Sequence, residues 1–207
     1  MEDVLEVYAR PYDAQHPVVC FDESPKQLVS EVRKPYIDEK GVKHEDYEYQ
    51  REGATELFMI VEPLGGRREV LVEDDHKGVT WAKTMAYIVE ELYPEALKVT
   101  IVQDNLSAHK KHNIYEIFEP SRARAIINKI EFIYTPKHGS WLNIAECELS
   151  VLSKQALNKR FASKEELMQQ VIPWKSDRNS RQKGVDWQFT TADARIKLKK
   201  LYPTIIT

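Results

Sequence analysis

Apolar and polar positions along the chain follow several different periods, and each period predicts an element of secondary structure. Residues 17–22 form a short apolar run after a proline, which is typical of a buried strand. Residues 55–64 are rich in β-forming side chains, and residues 67–73 alternate apolar and charged positions after the Gly65–Gly66 turn. These segments predict three antiparallel strands, and residues 24–53 between the first two predict a long loop or an irregular hairpin.

The pattern changes to a helical period at Trp81, and from there helices and strands alternate. Apolar side chains three and four residues apart predict a helix that ends before Pro94. Two short apolar runs predict strands, and the other periodic or capped segments predict helices. The strands are expected at 98–103 and 130–134, and the helices at 108–127 (broken near Pro120), at 141–157, and after Ser163 and Thr190.

This order of elements predicts one fold class. Three antiparallel strands followed by parallel βα units give a mixed α/β sheet with helices on both faces. This is the element order of the ribonuclease H-like fold. We expect an N-terminal lead-in at residues 1–16, the ribonuclease H-like domain at 17–160 and a C-terminal helical extension at 161–207.

Composition narrows the class of protein. With 207 residues, of which 42% are hydrophobic, the chain can form one large domain with its own core. The longest run of large apolar residues, 57–61, is far shorter than the roughly 20 residues that a membrane span needs. The acidic N-terminus has no apolar segment of a secretory signal, and two cysteines build no disulfide framework. These features predict a cytoplasmic protein without a membrane partner.

The net charge of −3 conceals an asymmetry between the two halves of the chain. Residues 1–104 carry 12 basic and 23 acidic side chains, whereas residues 105–207 carry 18 and 10. A basic half indicates a polyanionic partner, although a solvated charged surface explains the same counts.

Two carboxylates directly follow predicted buried strands: Asp22 ends the first strand and Asp104 ends the fourth. Ligands bind at strand ends in open α/β sheets, and these two strands are neighbours in the ribonuclease H-like order. The two side chains should therefore converge, and a divalent cation removes the cost of burying them without partners. Carboxylate oxygens are the ligands that Mg²⁺ prefers.

A third acidic residue, Glu146, lies near the start of the strongest predicted helix. Glu148 faces elsewhere on that helix, so only one of the two can point to the same site as Leu142 and Asn143. Three acids of this kind suit phosphoryl transfer with two metal ions, where one ion activates the attacking oxygen and the other stabilises the leaving oxygen. Taken singly, each acid has an alternative interpretation as an exposed surface carboxylate.

The acids lie in three segments: Phe21-Asp22-Glu23, Gln103-Asp104-Asn105 with His109 after it, and Leu142-Asn143-Ile144-Ala145-Glu146. These segments resemble the three acidic motifs of the mariner-like DDE transposases, in particular the bacterial insertion-sequence members. The resemblance covers residues 17–160, and residues 187–195 also look similar to the family.

The resemblance implies that Asp22, Asp104 and Glu146 form a catalytic triad that binds two Mg²⁺ or Mn²⁺ ions. It implies DNA cleavage at the element's ends and transfer of the freed 3′-hydroxyl to target DNA. A bacterial, nucleoid-associated location is implied as well. Ile144 stands where the family often has proline, and Asp104 and Glu146 are 42 positions apart, more than in better-known mariner relatives. Both departures keep Glu148 open as the third acid.

The same resemblance also predicts the binding partners of this chain. The family normally has a helix-turn-helix region before its catalytic domain, whereas sixteen residues precede Pro17 here. We therefore expect DNA as the main partner, together with a second copy of the chain or a separately encoded helix-turn-helix part.

Several further residues are candidates for supporting roles. Asn105 and Asn143 are expected to orient ligands or the helix start. His109 is expected near Asp104, as a donor to a substrate phosphate or to a metal-binding residue, and a surface histidine is the alternative. The candidates for DNA contact, the last three of them in a basic loop, are Lys137, His138, Trp141, Arg178, Arg181 and Lys183. A solvated loop and a core tryptophan are the alternatives for this group.

The function predicted from the sequence is the catalytic domain of a DNA transposase. Two alternatives stay open: a ribonuclease H-like nuclease without strand transfer, and a non-catalytic DNA-binding remnant.

Overall fold

The computed structural model describes residues 1–33, 36–44, 47–137 and 139–202 of the chain. Its strands are β1 (Val18–Glu31), β2 (Tyr36–Ile37), β3 (Lys43–His44), β4 (Tyr49–Glu62), β5 (Arg67–Glu73), β6 (Val99–Gln103) and β7 (Ile130–Tyr134). Its α-helices are α1 (Glu2–Tyr8), α2 (Gly78–Tyr87), α3 (His112–Ile117), α4 (Pro120–Lys129), α5 (Ile144–Ala156), α6 (Lys164–Ser180) and α7 (Thr191–Lys197). A π-helical segment, Ile88–Leu92, follows α2. Two short 3-10 helices, Ser140–Leu142 and Lys199–Leu201, complete the set.

Five strands form the main sheet in the order β5-β4-β1-β6-β7, and β2 and β3 form a separate two-stranded sheet. The pairs β1–β4 and β4–β5 are antiparallel, whereas β1–β6 and β6–β7 are parallel. Cys20 of β1 lies opposite both Val61 of β4 and Val102 of β6, so the two halves of the sheet join at β1. The predicted mixed sheet with ribonuclease H-like strand order is confirmed.

Helices cover both faces of the sheet, as predicted, because the central strands carry apolar residues at both odd and even positions. On one face, Val19 and Phe21 pack with Trp81 of α2 and with residues of α3 and α4. On the other, Cys20 packs with Leu142 and with residues of α1, α5, α6 and α7. These two surfaces are called the α2 face and the α5 face below.

The antiparallel pair β1–β4 is longer than the sequence predicts. Each strand has 14 residues, and the pairing extends to Glu31 opposite Tyr49. The loop alternative for residues 24–53 is therefore wrong, and the irregular hairpin is right. Most side chains in the outer part of this hairpin are exposed or half-buried, so no apolar alternation marks it in the sequence.

The helices follow the predicted segments, and the predicted break near Pro120 is present. The segment over 108–127 contains two helices, because α3 ends at Ile117 and Pro120 opens α4. Proline suits the first turn of a helix, where its missing N–H leaves no hydrogen bond unmade. In the part of the chain that the structure describes, no helix is long and apolar enough to cross a membrane.

Helices α1 and α7 both pack into the core of the α5 face. The predicted lead-in contains α1, which buries Val4, Leu5, Val7 and Tyr8. Arg195 of α7 forms an ion pair with Glu2 of α1 at 2.7 Å and joins these two helices. The spacing of Val4, Val7 and Tyr8, i, i+3 and i+4, is helical, but one such repeat within sixteen residues is a weak signal.

Candidate active site

One cleft of about 860 Å³ brings together the three acids singled out in the sequence. Asp22, Asp104 and Glu146 all line it, and so do polar residues of the neighbouring elements. These are Glu23, Ser24, Thr135, Ser140, Asn143, Ser150 and Ser153. The cleft therefore lies where β1, β6 and the start of α5 meet.

The register of the sheet explains why two of these acids converge. Parallel pairing between β1 and β6 ends with Cys20 opposite Val102, and Asp22 and Asp104 each lie two residues further along the chain. Side chains two residues apart in extended backbone share a face. Both carboxylates consequently continue the rows of Cys20 and Val102 towards the α5 face.

Asn143 brings the third acid to the same place. Its side-chain oxygen accepts a hydrogen bond from the N–H of Ala145 at 3.1 Å, which caps α5. Its amide nitrogen donates to the carbonyl of Phe21 at 2.8 Å. Because Phe21 directly precedes Asp22, this buried side chain fastens the first turn of α5, and Glu146 with it, beside the first acid.

The electrostatics of the cleft favour a cation. Burial raises the pKa of Asp22 to about 7, and repulsion from Glu23, Asp104 and Glu146 adds to this, although the N–H of Glu23 donates to the carboxylate at 2.9 Å. One carboxylate oxygen of Glu146, Oε2, is buried without a hydrogen-bond partner. Desolvated carboxylates that face one another are stabilised by a bound metal ion.

These oxygen donors fit a hard divalent cation such as Mg²⁺, which combines carboxylates with retained water. In the described residues, however, no group of three or more His, Cys, Asp or Glu side chains is arranged as a complete metal site. The acids share the cleft without forming a closed set of ligands.

His109 lies behind Asp104, on the α2 face. Its Nδ1 is 2.6 Å from Asp104 Oδ1, and its Nε2 is 3.2 Å from Glu23 Oε1. Burial disfavours the charged imidazole, but the two carboxylates outweigh it and raise the pKa of His109 to about 9. The predicted neighbourhood of His109 and Asp104 is therefore present, whereas the contact with Glu23 has no signal in the sequence beyond its position next to Asp22.

Glu148 has a different environment from Glu146. It is buried, and its carboxylate contacts Arg68 Nη2 at 3.0 Å and Arg178 Nη2 at 2.6 and 2.9 Å. It does not line the cleft. Two residues on a helix are separated by about 200° around its axis, which gives the two acids their different surroundings. The geometry thus favours Glu146 over Glu148 as the third acid.

A second groove adjoins the cleft and shares Asp104, Thr135 and Ser140 with it. Asn105 and Lys137 line this groove. These two predicted residues therefore lie close to the acids, on the side of the loop that follows β6.

Trp141 lies in the short 3-10 helix before α5 and is 42% exposed. Its ring stacks on Trp187 at 6.4 Å between centroids and contacts Phe189 edge-on at 5.9 Å. It is therefore not the core tryptophan of the alternative interpretation. His138 lies outside the described residues.

The predicted basic loop differs from the structure. Arg178 lies inside α6, and its guanidinium binds Glu148 rather than facing solvent. Arg181 forms an exposed ion pair with Asp177 at 2.8 Å, and the carbonyl of Lys183 accepts a hydrogen bond from Arg68. None of the three basic residues lines the cleft. The sequence could not show this, because the acid that binds Arg178 is 30 residues away.

Asp22 does not end its strand as predicted but lies inside β1, just past the parallel pairing with β6, whereas Asp104 directly follows β6. A ribonuclease H-like sheet with carboxylates in these positions suits a nuclease-type domain. The family model described as "DDE superfamily endonuclease" matches residues 17–168. The chain belongs to this family, and the mariner-like DDE resemblance is confirmed at the level of family and fold.

Solved structures with this fold include three complexes of Mos1. The paired-end complex with Mn has 19% identity and a TM-score of 0.56 over 85% of this chain and 52% of that chain. The strand transfer complex has 18% identity and a TM-score of 0.56 over 84% of this chain and 51% of that chain. The paired-end complex with Mg has 17% identity and a TM-score of 0.57 over 89% of this chain and 56% of that chain. The chain spans about half the length of these transposase chains. By sequence alone, no curated protein gives a significant match.

Proposed function

We propose that the chain is the catalytic domain of a DNA transposase, which cleaves DNA at the ends of a mobile element and joins them to target DNA. One observation carries the proposal: three acids from β1, β6 and α5 line a single cleft in a chain of the DDE family. Residues 17–160 would form the catalytic domain, with 161–207 as its helical extension.

Asp22, Asp104 and Glu146 would hold the divalent cations, two ions of Mg²⁺ or Mn²⁺. The raised pKa of Asp22 and the unpartnered oxygen of Glu146 support this assignment. Bound there, such ions supply the positive charge that activates an attacking hydroxyl and stabilises the leaving oxygen of a phosphodiester. Similar chains were solved with Mn and with Mg, which supports divalent ions of this class.

The other polar residues of the site would orient these acids. Asn143 fixes the start of α5 against β1, and His109 holds one oxygen of Asp104. Asn105 and Lys137 would contact the phosphates of DNA in the adjoining groove. Trp141, with its exposed ring, would stack against a base or sugar, and Arg181 and Lys183 would lie further along the backbone.

DNA is the proposed partner, both as the element's ends and as the target. Mos1 chains were solved as paired-end and strand transfer complexes, which supports pairing of two copies of this chain as well. Phosphate contacts from the basic half would give weak binding with little sequence preference, at roughly 10⁻⁴–10⁻⁶ M near physiological salt. A separately encoded helix-turn-helix part would then read the sequence, in the cytoplasm of a bacterium and at its nucleoid.

Two assays separate this function from its alternatives. Duplexes that carry the terminal repeat should be cut with Mg²⁺ or Mn²⁺ and left intact with EDTA. Pre-cut ends should then be joined to a target plasmid. Cutting without joining would indicate a nuclease without strand transfer, and binding without either reaction would indicate a non-catalytic module.

The Asp104→Asn variant should lose both reactions, whereas Asp177→Asn, which removes an exposed acid of α6, should keep both. Full activity of Asp104→Asn would overturn the proposed site.

A further inference from the structure

Glu23 is a buried acid that the proposed reaction does not use. It directly follows Asp22 in β1, so its side chain lies on the opposite face, opposite Phe58 of β4. The side chain is only 9% exposed. Both of its carboxylate oxygens are buried, and neither accepts a well-aligned hydrogen bond. A carboxylate in this state is costly unless a cation compensates it.

His109 is the side chain that contacts Glu23. Its ring is 1% exposed and lies between two aromatic side chains, stacked on Trp81 at 5.7 Å and edge-on to Phe21 at 5.6 Å. The ring nitrogens point in opposite directions, one to Glu23 and the other to Asp104. Both contacts are short distances between a ring nitrogen and a carboxylate oxygen, and neither His109 Nδ1 nor Asp104 Oδ1 takes part in a well-aligned hydrogen bond.

The indole ring of Trp81, on which His109 stacks, is itself held by a hydrogen bond. The indole N–H of Trp81 donates to the side-chain oxygen of Gln103 at 3.0 Å, and Gln103 directly precedes Asp104. The indole on which the imidazole stacks is therefore held in place. A histidine that merely fills the core would need no carboxylate at either nitrogen, whereas here both nitrogens face carboxylates of residues that line the cleft.

We propose that Glu23 acts through His109 to position the carboxylate of Asp104 for metal binding. Glu23 and His109 are then positioning residues, and neither is a metal ligand. The inference rests on the proposed function, because it takes Asp104 as a ligand. The contact of His109 Nδ1 with Asp104 Oδ1, at 2.6 Å, restricts the orientation of the Asp104 carboxylate and leaves its other oxygen for an ion.

Mn²⁺ binding to the full chain tests this arrangement, with free Mn²⁺ measured by electron paramagnetic resonance. Glu23→Gln and His109→Gln should each weaken Mn²⁺ affinity by about 10- to 100-fold, the usual effect of removing a group that orients a ligand. If Glu23 acts only through His109, the double variant should bind no more weakly than His109→Gln alone.

Losses that multiply in the double variant would mean that Glu23 contacts the ion itself, and an unchanged affinity in both single variants would overturn the inference. Glu56→Gln is a matched control, because Glu56 is also buried in β4 and contacts His76 at 2.9 Å, away from the cleft. It should bind Mn²⁺ as the unmodified chain does.

The ratio of cleavage rates in Mg²⁺ and Mn²⁺ gives a readout that a loss of stability would not change. Mg²⁺ demands near-ideal octahedral geometry, so a loosened Asp104 should lower the rate with Mg²⁺ more than the rate with Mn²⁺. Glu23→Gln should therefore lower this ratio, and an unaltered ratio together with unaltered affinity would contradict positioning.

If His109→Gln does not fold, the unmodified chain still decides the point. Addition of Mg²⁺ should shift the ¹⁵N resonances of the His109 ring and leave those of His76 unchanged. Binding of Mg²⁺ without a shift at His109 would overturn the inference alone. No binding of Mg²⁺ or Mn²⁺ by the unmodified chain would overturn the proposed function and this inference together.

Discussion

Glu146 and Glu148 lie two residues apart on α5, yet their carboxylates have opposite surroundings. Glu148 contacts two arginines, Arg68 and Arg178, in the core of the α5 face. Glu146 points into a cleft that it shares with Asp22 and Asp104, and one of its oxygens is buried without a partner. One helix thus carries a compensated acid and an uncompensated acid.

This difference separates two uses of a buried charge. The carboxylate of Glu148 is paired within the chain, although Arg68 Nε and Arg178 Nε are buried without a hydrogen-bond partner. Arg68 also donates to the carbonyls of Gly66 and Lys183, and Asn179 bonds both backbone groups of Arg68. This cluster around Glu148 joins β5, α5 and the end of α6. The acids of the cleft repel one another, which destabilises the metal-free protein and favours a bound cation. The predictions that follow separate these two roles.

Removing an acid from the cleft should have the largest effect on activity. Glu146→Gln keeps the shape of the side chain and removes a ligand charge, so metal-dependent cleavage should fall by about a thousandfold or more. Single-turnover cleavage of a labelled duplex measures this. Thermal unfolding of the metal-free variant should be unchanged or slightly higher. Near-normal cleavage would exclude Glu146 as the third acid.

Removing the acid of the arginine cluster should have the largest effect on stability. Glu148→Gln leaves Arg68 and Arg178 without their carboxylate, and breaking a buried ion pair costs about 3–5 kcal/mol. Urea unfolding measures the free energy of unfolding. Asp177→Asn, which breaks an exposed ion pair with Arg181, should change it by less than about 1 kcal/mol. Equal effects of the two variants would show that the cluster around Glu148 contributes little.

A smaller effect, of opposite sign, is expected for Asp22→Asn without metal. The pKa of Asp22 is raised from 3.8 to about 7, so the folded state binds this proton more tightly than the unfolded state. The acid therefore costs stability that increases as pH rises from about 4 to 7. The full shift corresponds to about 4 kcal/mol. Because solvent in the open cleft screens part of it, Asn should raise the free energy of unfolding by about 2 kcal/mol at pH 8 and by little at pH 4. Urea unfolding at both pH values tests this, and destabilisation at pH 8 would contradict it.

The smallest effect concerns the basic residues outside both regions. Arg181→Ala should leave cleavage chemistry intact and weaken DNA binding slightly. The slope of log affinity against log salt concentration should become less steep by about one. Duplex titrations at two salt concentrations measure the slope. An unchanged slope would support a solvated surface at Arg181 instead of a phosphate contact.

The sequence predicts those parts of the fold in which a local pattern of apolar residues marks each strand or helix. Strands that bury both faces appear as apolar runs, so the order of strands and helices along the chain follows from pattern. The spatial order of the sheet follows only from the likeness of this element order to the ribonuclease H-like fold. Asp22 and Asp104 are predictable because each stands at the end of such a run, and Glu146 because it lies near the start of a strong helix.

Contacts between distant segments are what the sequence does not show. Arg68 appears as one charge in an alternating strand, although it is buried against Glu148, 80 residues later. The contact of His109 with Glu23 likewise depends on how the loop between β6 and α3 packs against β1. The outer hairpin of β1 and β4 is missed because its exposed side chains give no apolar period.

Anomalous diffraction from crystals soaked in Mn²⁺ tests the central claim most directly. The account predicts density for Mn²⁺ between the carboxylates of Asp22 and Asp104, with Glu146 turned towards it and Glu148 still bound to its arginines. Density elsewhere in the molecule, with the carboxylates of Asp22 and Asp104 unliganded, would contradict the account.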